Sequence, residues 1–316
     1  MHKNNYLQNF VMPIVALLII AVLFLLYWGS MKSVKTDTIR QPFVKATGSA
    51  DTYFKNISLS AKSAIVWDVN EHRAIYEHNA DTILPLASLA KVMMAVTADD
   101  LVPDYTVISI KKEFLAEEGD SGLAINQNWR LKDLLDYSLT VSSNDGARAI
   151  ASVVGAVTSG SANYDMGRKE FVVRMNEKAK KMGLTSTHFT NENGLDTNQS
   201  LGGAYGSARD MALLFENVLK NYPEIMEQTK QSKVSIKSLD NVVHVGHNTN
   251  WTVDTIPGVI ASKTGYTNLA GGNLVITFDP QLGRPLIISV LGSTQEGRFS
   301  DVAALINASR AYLDQK

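Results

Sequence analysis

The sequence predicts a single α+β domain preceded by one transmembrane helix. Short apolar or alternating runs typical of strands occur after residue 62 and again after residue 258, and helical patterns fill the region between them. The two outer groups of strands are therefore expected to form one antiparallel sheet flanked by helices, with a helical subdomain inserted between its halves. The chain has 316 residues, 45% of them hydrophobic, which is enough to build such a core.

The individual elements follow from hydrophobic period and from residues that break the chain. Residues 63–69 and 73–76 predict a hairpin, because a polar turn separates two apolar strands. Pro85 then interrupts the chain, and the apolar run after it predicts a helix whose first turn contains Ser88. Further helices are predicted over 129–139, 147–154 and 171–182, from the capping Ser207 to about 222, and over 298–313. Further strands are predicted over 107–112, 259–262, 273–278 and 286–291.

The N-terminal region has the composition of a membrane anchor. Residues 10–28 are almost wholly apolar, and 19 residues suffice to span a bilayer as a helix. We expect an uncleaved anchor, and a cleaved signal peptide is the alternative. Lys32 and Lys35 after the run slightly oppose export of the C-terminal portion by the positive-inside rule. The expected organisation is a short cytoplasmic N-terminus (1–9), a transmembrane helix (10–28), a linker (29–56) and the folded domain (57–316).

Composition narrows the possible chemistry. The formal net charge of −1 gives no reason to expect a nucleic-acid partner. The sequence has no cysteine, so disulfides, thiolate catalysis and cysteine-ligated metals are excluded. His244 and His247 have the spacing of a metal pair, but no third ligand is evident, and we expect a surface loop without metal there.

Ser88 and Lys91 are the first candidate catalytic pair. Residues three apart on a helix share a face, so the lysine amine can lie beside the serine hydroxyl. Burial lowers the pKa of an amine, which can then accept the proton of this weak nucleophile. Backbone N–H groups at the helix start can stabilise an oxyanion. A second match, Ser109 and Lys112, lies in a predicted strand, where residues three apart face opposite ways and cannot cooperate.

Two further motifs carry groups suited to the same chemistry. Ser142 and Asn144 lie between two predicted helices, where a hydroxyl can relay a proton and an amide can orient a substrate; the alternative is that they only cap the next helix. The similar Ser161 and Asn163 lie in a flexible run without helix ends, and we expect no function there. Residues 263–265, Lys-Thr-Gly, follow an apolar strand, where an ammonium and a hydroxyl can bind a carboxylate and the glycine permits close approach; the alternative is an exposed turn.

In this order, 54 and 121 residues apart, the motifs resemble the set shared by penicillin-binding proteins and class A β-lactamases. The sequence that flanks these motifs resembles the serine D-alanyl-D-alanine carboxypeptidases, which are the low-molecular-mass penicillin-binding proteins. The resemblance covers about residues 56–316. The resemblance implies a β-lactamase/transpeptidase-like fold. Many members carry a second β-rich domain and a C-terminal amphipathic anchor, which the N-terminal apolar helix would replace here. Tyr266 stands where many members have histidine. The segments that carry the resemblance are 86–94, 142–147, 189–196, 207–212 and 263–267.

The resemblance also implies a mechanism without metal or organic cofactor. Ser88 would attack the carbonyl between the two terminal D-alanines of a peptidoglycan stem peptide, Lys91 would accept its proton, and Ser142 would relay a proton to the leaving D-alanine. The oxyanion hole would be formed by the backbone N–H groups of Ser88 and Tyr266. Substrate binding would fall to Asn144, Lys263, Thr264, Gly265 and Tyr266.

Partners and location follow from that substrate. Stem peptides lie outside the cell membrane, so the resemblance implies an extracytoplasmic domain on a single-pass membrane protein, with β-lactam antibiotics as inhibitors. A class A-like β-lactamase with Glu192 activating water is an alternative, because Glu192-Asn-Gly-Leu-Asp196 superficially matches that enzyme's motif. The motifs are also compatible with a D,D-endopeptidase that cuts peptidoglycan cross-links and with a penicillin-sensing receptor that does not turn over.

Overall fold

A five-stranded antiparallel sheet joins the two ends of the described chain. The computed structural model describes residues 49–119 and 122–314. The strands of this sheet are β1 Ser63–Asp68, β2 Arg73–His78, β10 Val259–Thr267, β11 Gly271–Phe278 and β12 Leu286–Ser293. Their order is β10-β11-β12-β1-β2, so the first hairpin pairs directly with the last strand. This confirms the predicted union of N-terminal and C-terminal strands.

The predicted transmembrane segment, residues 10–28, lies outside the described residues, as do residues 1–9 and most of the predicted linker. Within the described ranges, no helix combines the length and the apolar character that crossing a bilayer requires.

Helices cover both faces of the sheet and form the inserted subdomain. Strand β1 shows how the faces divide: Ala64 and Val66 pack towards the terminal helices, whereas Ile65 and Trp67 join the core of the helical subdomain. The helices are α1 Ser49–Phe54, α2 Ala90–Leu101, α3 Leu131–Val141, α4 Asn144–Ser159, α5 Tyr164–Lys181, α6 Ala208–Asn221 and α7 Gly297–Leu313. Single 3-10 turns cover Ala87–Leu89, Lys112–Phe114 and Val253–Thr255, and a longer 3-10 helix covers Pro223–Lys230.

Among the described residues, three smaller antiparallel sheets lie outside the main sheet. They are β3 Leu84–Pro85 with β7 Ala204–Gly206 and β6 His188–Phe189, β4 Val107–Ser109 with β5 Asn128–Arg130, and β8 Lys233–Lys237 with β9 Val243–His247. Trp129 therefore belongs to a strand and not, as predicted, to the following helix. The β8–β9 hairpin was not predicted.

Two helix starts show how far capping residues can be recognised from sequence. Asn163 caps α5, since its side-chain oxygen accepts from the backbone N–H groups of Asp165 and Met166 at 2.9 and 3.0 Å. The helix thus starts at Tyr164 and not at 171, and the expectation that no helix end adjoins Asn163 was wrong. Ser207 caps α6 as predicted, accepting from the Asp210 N–H at 3.1 Å.

The histidine pair lies on strand β9, not in a loop. His244 is buried against the rings of Trp129 and Tyr137, whereas His247 is exposed on the opposite face of the strand. Side chains on opposite faces cannot ligate one ion. Among the described residues, no group of three or more histidine, aspartate or glutamate side chains is arranged to hold a metal.

Candidate active site

Ser88 and Lys91 meet at the start of the most buried helix of the subdomain. Ser88 lies in the 3-10 turn immediately before α2, close to the predicted first turn. Lys91 is fully buried, and its Nζ donates to Ser88 Oγ at 2.8 Å. The other Ser-x-x-Lys match has no such contact among the described bonds: Ser109 Oγ donates to Asn128, and Lys112 is exposed.

The remaining contacts of Lys91 orient its amine towards the serine. Nζ also donates to Asn144 Oδ1 at 2.6 Å and to the backbone oxygen of Asn193 at 2.8 Å. An ammonium has three donors, and all three are used. In the neutral amine, the two N–H groups can remain on Asn144 and Asn193, which leaves the lone pair facing Ser88 Oγ. Burial lowers the pKa of Lys91 to about 7, against the partly opposing charges of Glu192 and Glu117. The amine is therefore suited to accept a proton near neutral pH.

Ser142 and Asn144 lie at the junction of α3 and α4, Ser142 in the two-residue link and Asn144 at the first position of α4. Ser142 takes a left-handed conformation with φ 61° at the end of α3. Ser143 caps α4 by accepting from the Gly146 N–H at 2.9 Å. Ser142 is thus not the cap of α4, and its Oγ accepts from Lys263 Nζ at 2.8 Å. Asn144 opens α4, and its amide donates to the backbone oxygen of Glu118 at 2.6 Å while its oxygen holds Lys91.

Strand β10 supplies the second lysine. Lys263 was predicted at the end of a strand, but it lies in the middle of β10. It is almost fully buried, and burial together with the nearby cations Lys91 and Arg298 lowers its pKa well below the ordinary value. Thr264 Oγ1 lies 2.6 Å from Thr249 Oγ1, so the hydroxyl is held in place.

Gly265 allows β10 to lie against the 3-10 turn that contains Ser88. A Cβ at this position would lie 2.8 Å from the Leu86 oxygen and 3.2 Å from the Ser88 nitrogen. Only glycine therefore fits without displacing backbone. The contact brings the β10 backbone next to the Ser88 amide, as a two-amide oxyanion hole with Tyr266 requires. Tyr266 is 45% exposed.

The structure adds residues that sequence reasoning missed. Asn193 acts on Lys91 through its backbone carbonyl, so its residue type gave no signal. Arg298 on α7 is buried and donates to the backbone oxygen of Gly265 at 2.7 Å, which ties β10 to α7. Burial lowers the pKa of Arg298 to about 10. Thr249 could not be linked to Thr264 before the loop between β9 and β10 was placed.

Comparison with known proteins identifies the family. The sequence model described as D-alanyl-D-alanine carboxypeptidase matches residues 48–295 of the chain. The chain belongs to this family. Its α+β fold is accordingly of the β-lactamase/transpeptidase-like type, as predicted.

Several named relatives illustrate the family's range. The chain is 30% identical to the D-alanyl-D-alanine carboxypeptidase DacB2 of Mycobacterium tuberculosis over 75% of its length and 77% of the relative's. It is 27% identical to a D-alanyl-D-alanine endopeptidase of Escherichia coli over 74% and 72% of the two chains. Among solved structures, penicillin-binding protein D2 of Listeria monocytogenes, in its ampicillin-bound form, is 30% identical with a TM-score of 0.65, covering 80% of this chain and 98% of that one.

Gly194→Ala is expected to disturb the 3-10 turn that contains Ser88. Gly194 has φ +82°, and a Cβ there would lie 1.8 Å from the Ala87 oxygen. The backbone strain alone costs about 1–2 kcal/mol, and the clash must move either Ala87 or the loop that holds Lys91. We expect acylation of Ser88 to slow about tenfold or more. Gly283→Ala is the matched control, because Gly283 has φ +80° with no atom near its Cβ position. Equal acylation rates in the two folded variants would contradict the expectation.

Proposed function

We propose that this protein is a serine-type D-alanyl-D-alanine carboxypeptidase that removes the terminal D-alanine from peptidoglycan stem peptides through an acyl-enzyme on Ser88. The observation that carries the proposal is the pair of buried lysine–hydroxyl contacts, Lys91 with Ser88 and Lys263 with Ser142, both at 2.8 Å. Membership of the D-alanyl-D-alanine carboxypeptidase family supports the same activity and substrate.

Acylation would begin with proton transfer to Lys91. As Ser88 Oγ attacks the carbonyl carbon, its proton passes to the neutral amine, and the carbonyl oxygen becomes an oxyanion. The N–H groups of Ser88 and Tyr266 would stabilise that charge. The close approach of Gly265 to the Ser88 nitrogen supports this assignment.

Ser142 and Lys263 would serve the leaving group. Collapse of the tetrahedral intermediate breaks the C–N bond, and the departing amine needs a proton, which Ser142 would relay. Lys263 and Thr264 would bind the terminal carboxylate, for which an ammonium beside a hydroxyl is chemically suited. The Asn144 amide would hold the substrate backbone. Water then hydrolyses the ester on Ser88.

A β-lactam would occupy the same site as the terminal dipeptide, acylate Ser88 and leave slowly. The ampicillin-bound form of the Listeria relative supports this inhibitor class. The β-lactamase alternative needs Glu192 to activate water, yet this side chain is fully buried and both of its oxygens accept from Arg168 Nε at 2.9 and 2.8 Å. Rapid release of bound penicillin, abolished in Glu192→Gln, would restore that alternative.

The endopeptidase alternative has the same chemistry but a different substrate. It is supported by relatives that are named D-alanyl-D-alanine endopeptidases. Both activities are tested with two substrates, a soluble pentapeptide ending in D-Ala-D-Ala and cross-linked wall. We expect free D-alanine from the pentapeptide. Monomers released from cross-linked wall without free D-alanine would contradict the carboxypeptidase proposal.

We further propose that residues 10–28 span the cell membrane, that residues 29–56 link them to the catalytic domain of residues 57–316, and that this domain acts outside the membrane. The apolar run of 19 residues and the extracytoplasmic substrate support this arrangement. Full-length protein is expected in the membrane fraction, accessible to protease from outside. Release of the chain by salt alone would contradict it.

A further inference from the structure

Two carboxylates, Glu117 and Glu192, lie near Lys91, the proposed proton acceptor. The mechanism proposed above gives neither of them a role. Glu117 lies between the 3-10 turn Lys112–Phe114 and strand β5, and Glu192 lies in the loop between β6 and β7. The Glu192 side chain is fully buried and that of Glu117 is 14% exposed. Buried carboxylates are rare unless they are paired, and these two are each paired with an arginine.

Glu192 is next in sequence to the residue that holds Lys91. Its two oxygens accept from Arg168 Nε of helix α5. The following residue, Asn193, offers its backbone oxygen to Lys91 Nζ at 2.8 Å. The ion pair thus anchors to α5 the loop segment that carries this carbonyl.

Glu117 reaches the same loop from the other side. Its Oε1 pairs with Arg148 of α4, and its Oε2 accepts from the side-chain amide of Asn193 at 3.2 Å. Asn193 therefore bridges the carboxylate and Lys91, with its amide on one and its carbonyl on the other. Arg148 lies one helical turn beyond Asn144, which holds Lys91 directly.

The charges around Lys91 show why these carboxylates matter. Lys263 of β10 carries the same sign of charge as a protonated Lys91, so the two repel each other. Glu117 and Glu192 are themselves paired with cations, Arg148 and Arg168 respectively. Arg148 is also 3.8 Å from the exposed Asp165 of α5. Proton uptake creates a second cation at the fully buried Lys91, which is costly unless negative charge is nearby. In the part of the chain that the structure describes, Glu192 and Glu117 are the groups whose charges favour the Lys91 ammonium.

We propose that Glu117 and Glu192 are positioning residues for the proton acceptor: they fix the Asn193 carbonyl against Lys91 and stabilise the ammonium that forms there when Ser88 is acylated. This inference rests on the proposed function for its role in turnover. The effect of the two carboxylates on the protonation of Lys91 can be measured without turnover.

The test is a titration of Lys91 by NMR of protein labelled at the lysine ε-carbon. The Lys91 signal is identified by its loss in Lys91→Arg. The wild-type midpoint is expected at about 7. Removing a nearby negative charge destabilises the ammonium, so the midpoint should fall by about half a pH unit or more in Glu117→Gln and in Glu192→Gln. Glu170→Gln is the matched control, because Glu170 is a carboxylate on α5 whose side chain is 39% exposed and paired with Arg174.

The rate at which labelled penicillin acylates Ser88 gives the second readout. Its acid limb should move to lower pH in both variants, whereas a purely structural role would lower the rate at every pH and leave the limb in place. Glu117 is the less buried carboxylate, so Glu117→Gln decides the question even if Glu192→Gln does not fold. Midpoints that stay fixed or rise would overturn the inference. A wild type that releases no D-alanine, with midpoints moving as stated, would instead overturn the proposed function.

Discussion

Replacing Lys91 with methionine is expected to slow the acylation of Ser88 by about a thousandfold, the range typical of a lost general base. Methionine is also long, unbranched and apolar, so it fills the fully buried site. It has no lone pair able to accept the serine proton, and it leaves Ser88 Oγ without its 2.8 Å partner.

The measurement is the rate of covalent labelling by penicillin, followed by intact mass, with thermal unfolding as a check on folding. Lys112→Met is the matched control, because Lys112 is the exposed lysine of the second Ser-x-x-Lys match. Labelling of Lys91→Met within tenfold of the wild-type rate would show that another group accepts the proton.

The same lysine is expected to control the pH dependence. Burial lowers the pKa of Lys91 to about 7, so the neutral amine predominates above that pH and the ammonium below it. Only the neutral form can accept the Ser88 proton. The acylation rate should therefore fall as the pH drops below about 7, and this limb should be absent from the residual activity of Lys91→Met.

Lys263→Met is expected to lower kcat/KM for a pentapeptide by about a hundredfold, the size of a lost buried charge-assisted contact. Two interactions disappear together: the ammonium proposed to bind the terminal carboxylate and the 2.8 Å contact with Ser142 Oγ. Burial and neighbouring cations lower the pKa of Lys263, so its carboxylate binding should also weaken as the pH rises.

A peptide ending in D-alanine amide separates binding from general damage. Wild-type enzyme should prefer the free carboxylate strongly over the amide, and Lys263→Met should lose most of that preference. A variant that is slower on both peptides but still prefers the acid would place the carboxylate elsewhere.

The sequence predicted the sheet well because its information is local. Strands such as β1, β11 and β12 are short apolar runs, and pairing the two ends of the chain left few alternatives. The β8–β9 hairpin was missed although residues 233–237 alternate polar and apolar side chains as a half-buried strand does, because the run has only five residues. The start of α5 was missed because Asn163 was interpreted as part of a flexible run and not as the cap of the helix that follows it.

The candidate site divides in the same way. The side chains proposed to carry the chemistry are those that motif and spacing predicted, and the structure places them in two hydrogen-bonded pairs, Lys91 with Ser88 and Lys263 with Ser142. Asn193 contributes a carbonyl that every residue type possesses. Contacts such as Asn193 with Glu117, 76 positions apart, depend on the tertiary fold and leave no local pattern.

The proposed nucleophile can be tested by intact mass after incubation with labelled penicillin. We predict one adduct per chain, mapping to the peptide that contains Ser88 and lost in Ser88→Ala. Label that persists in a folded Ser88→Ala variant, or that maps to another peptide, would contradict the proposed mechanism.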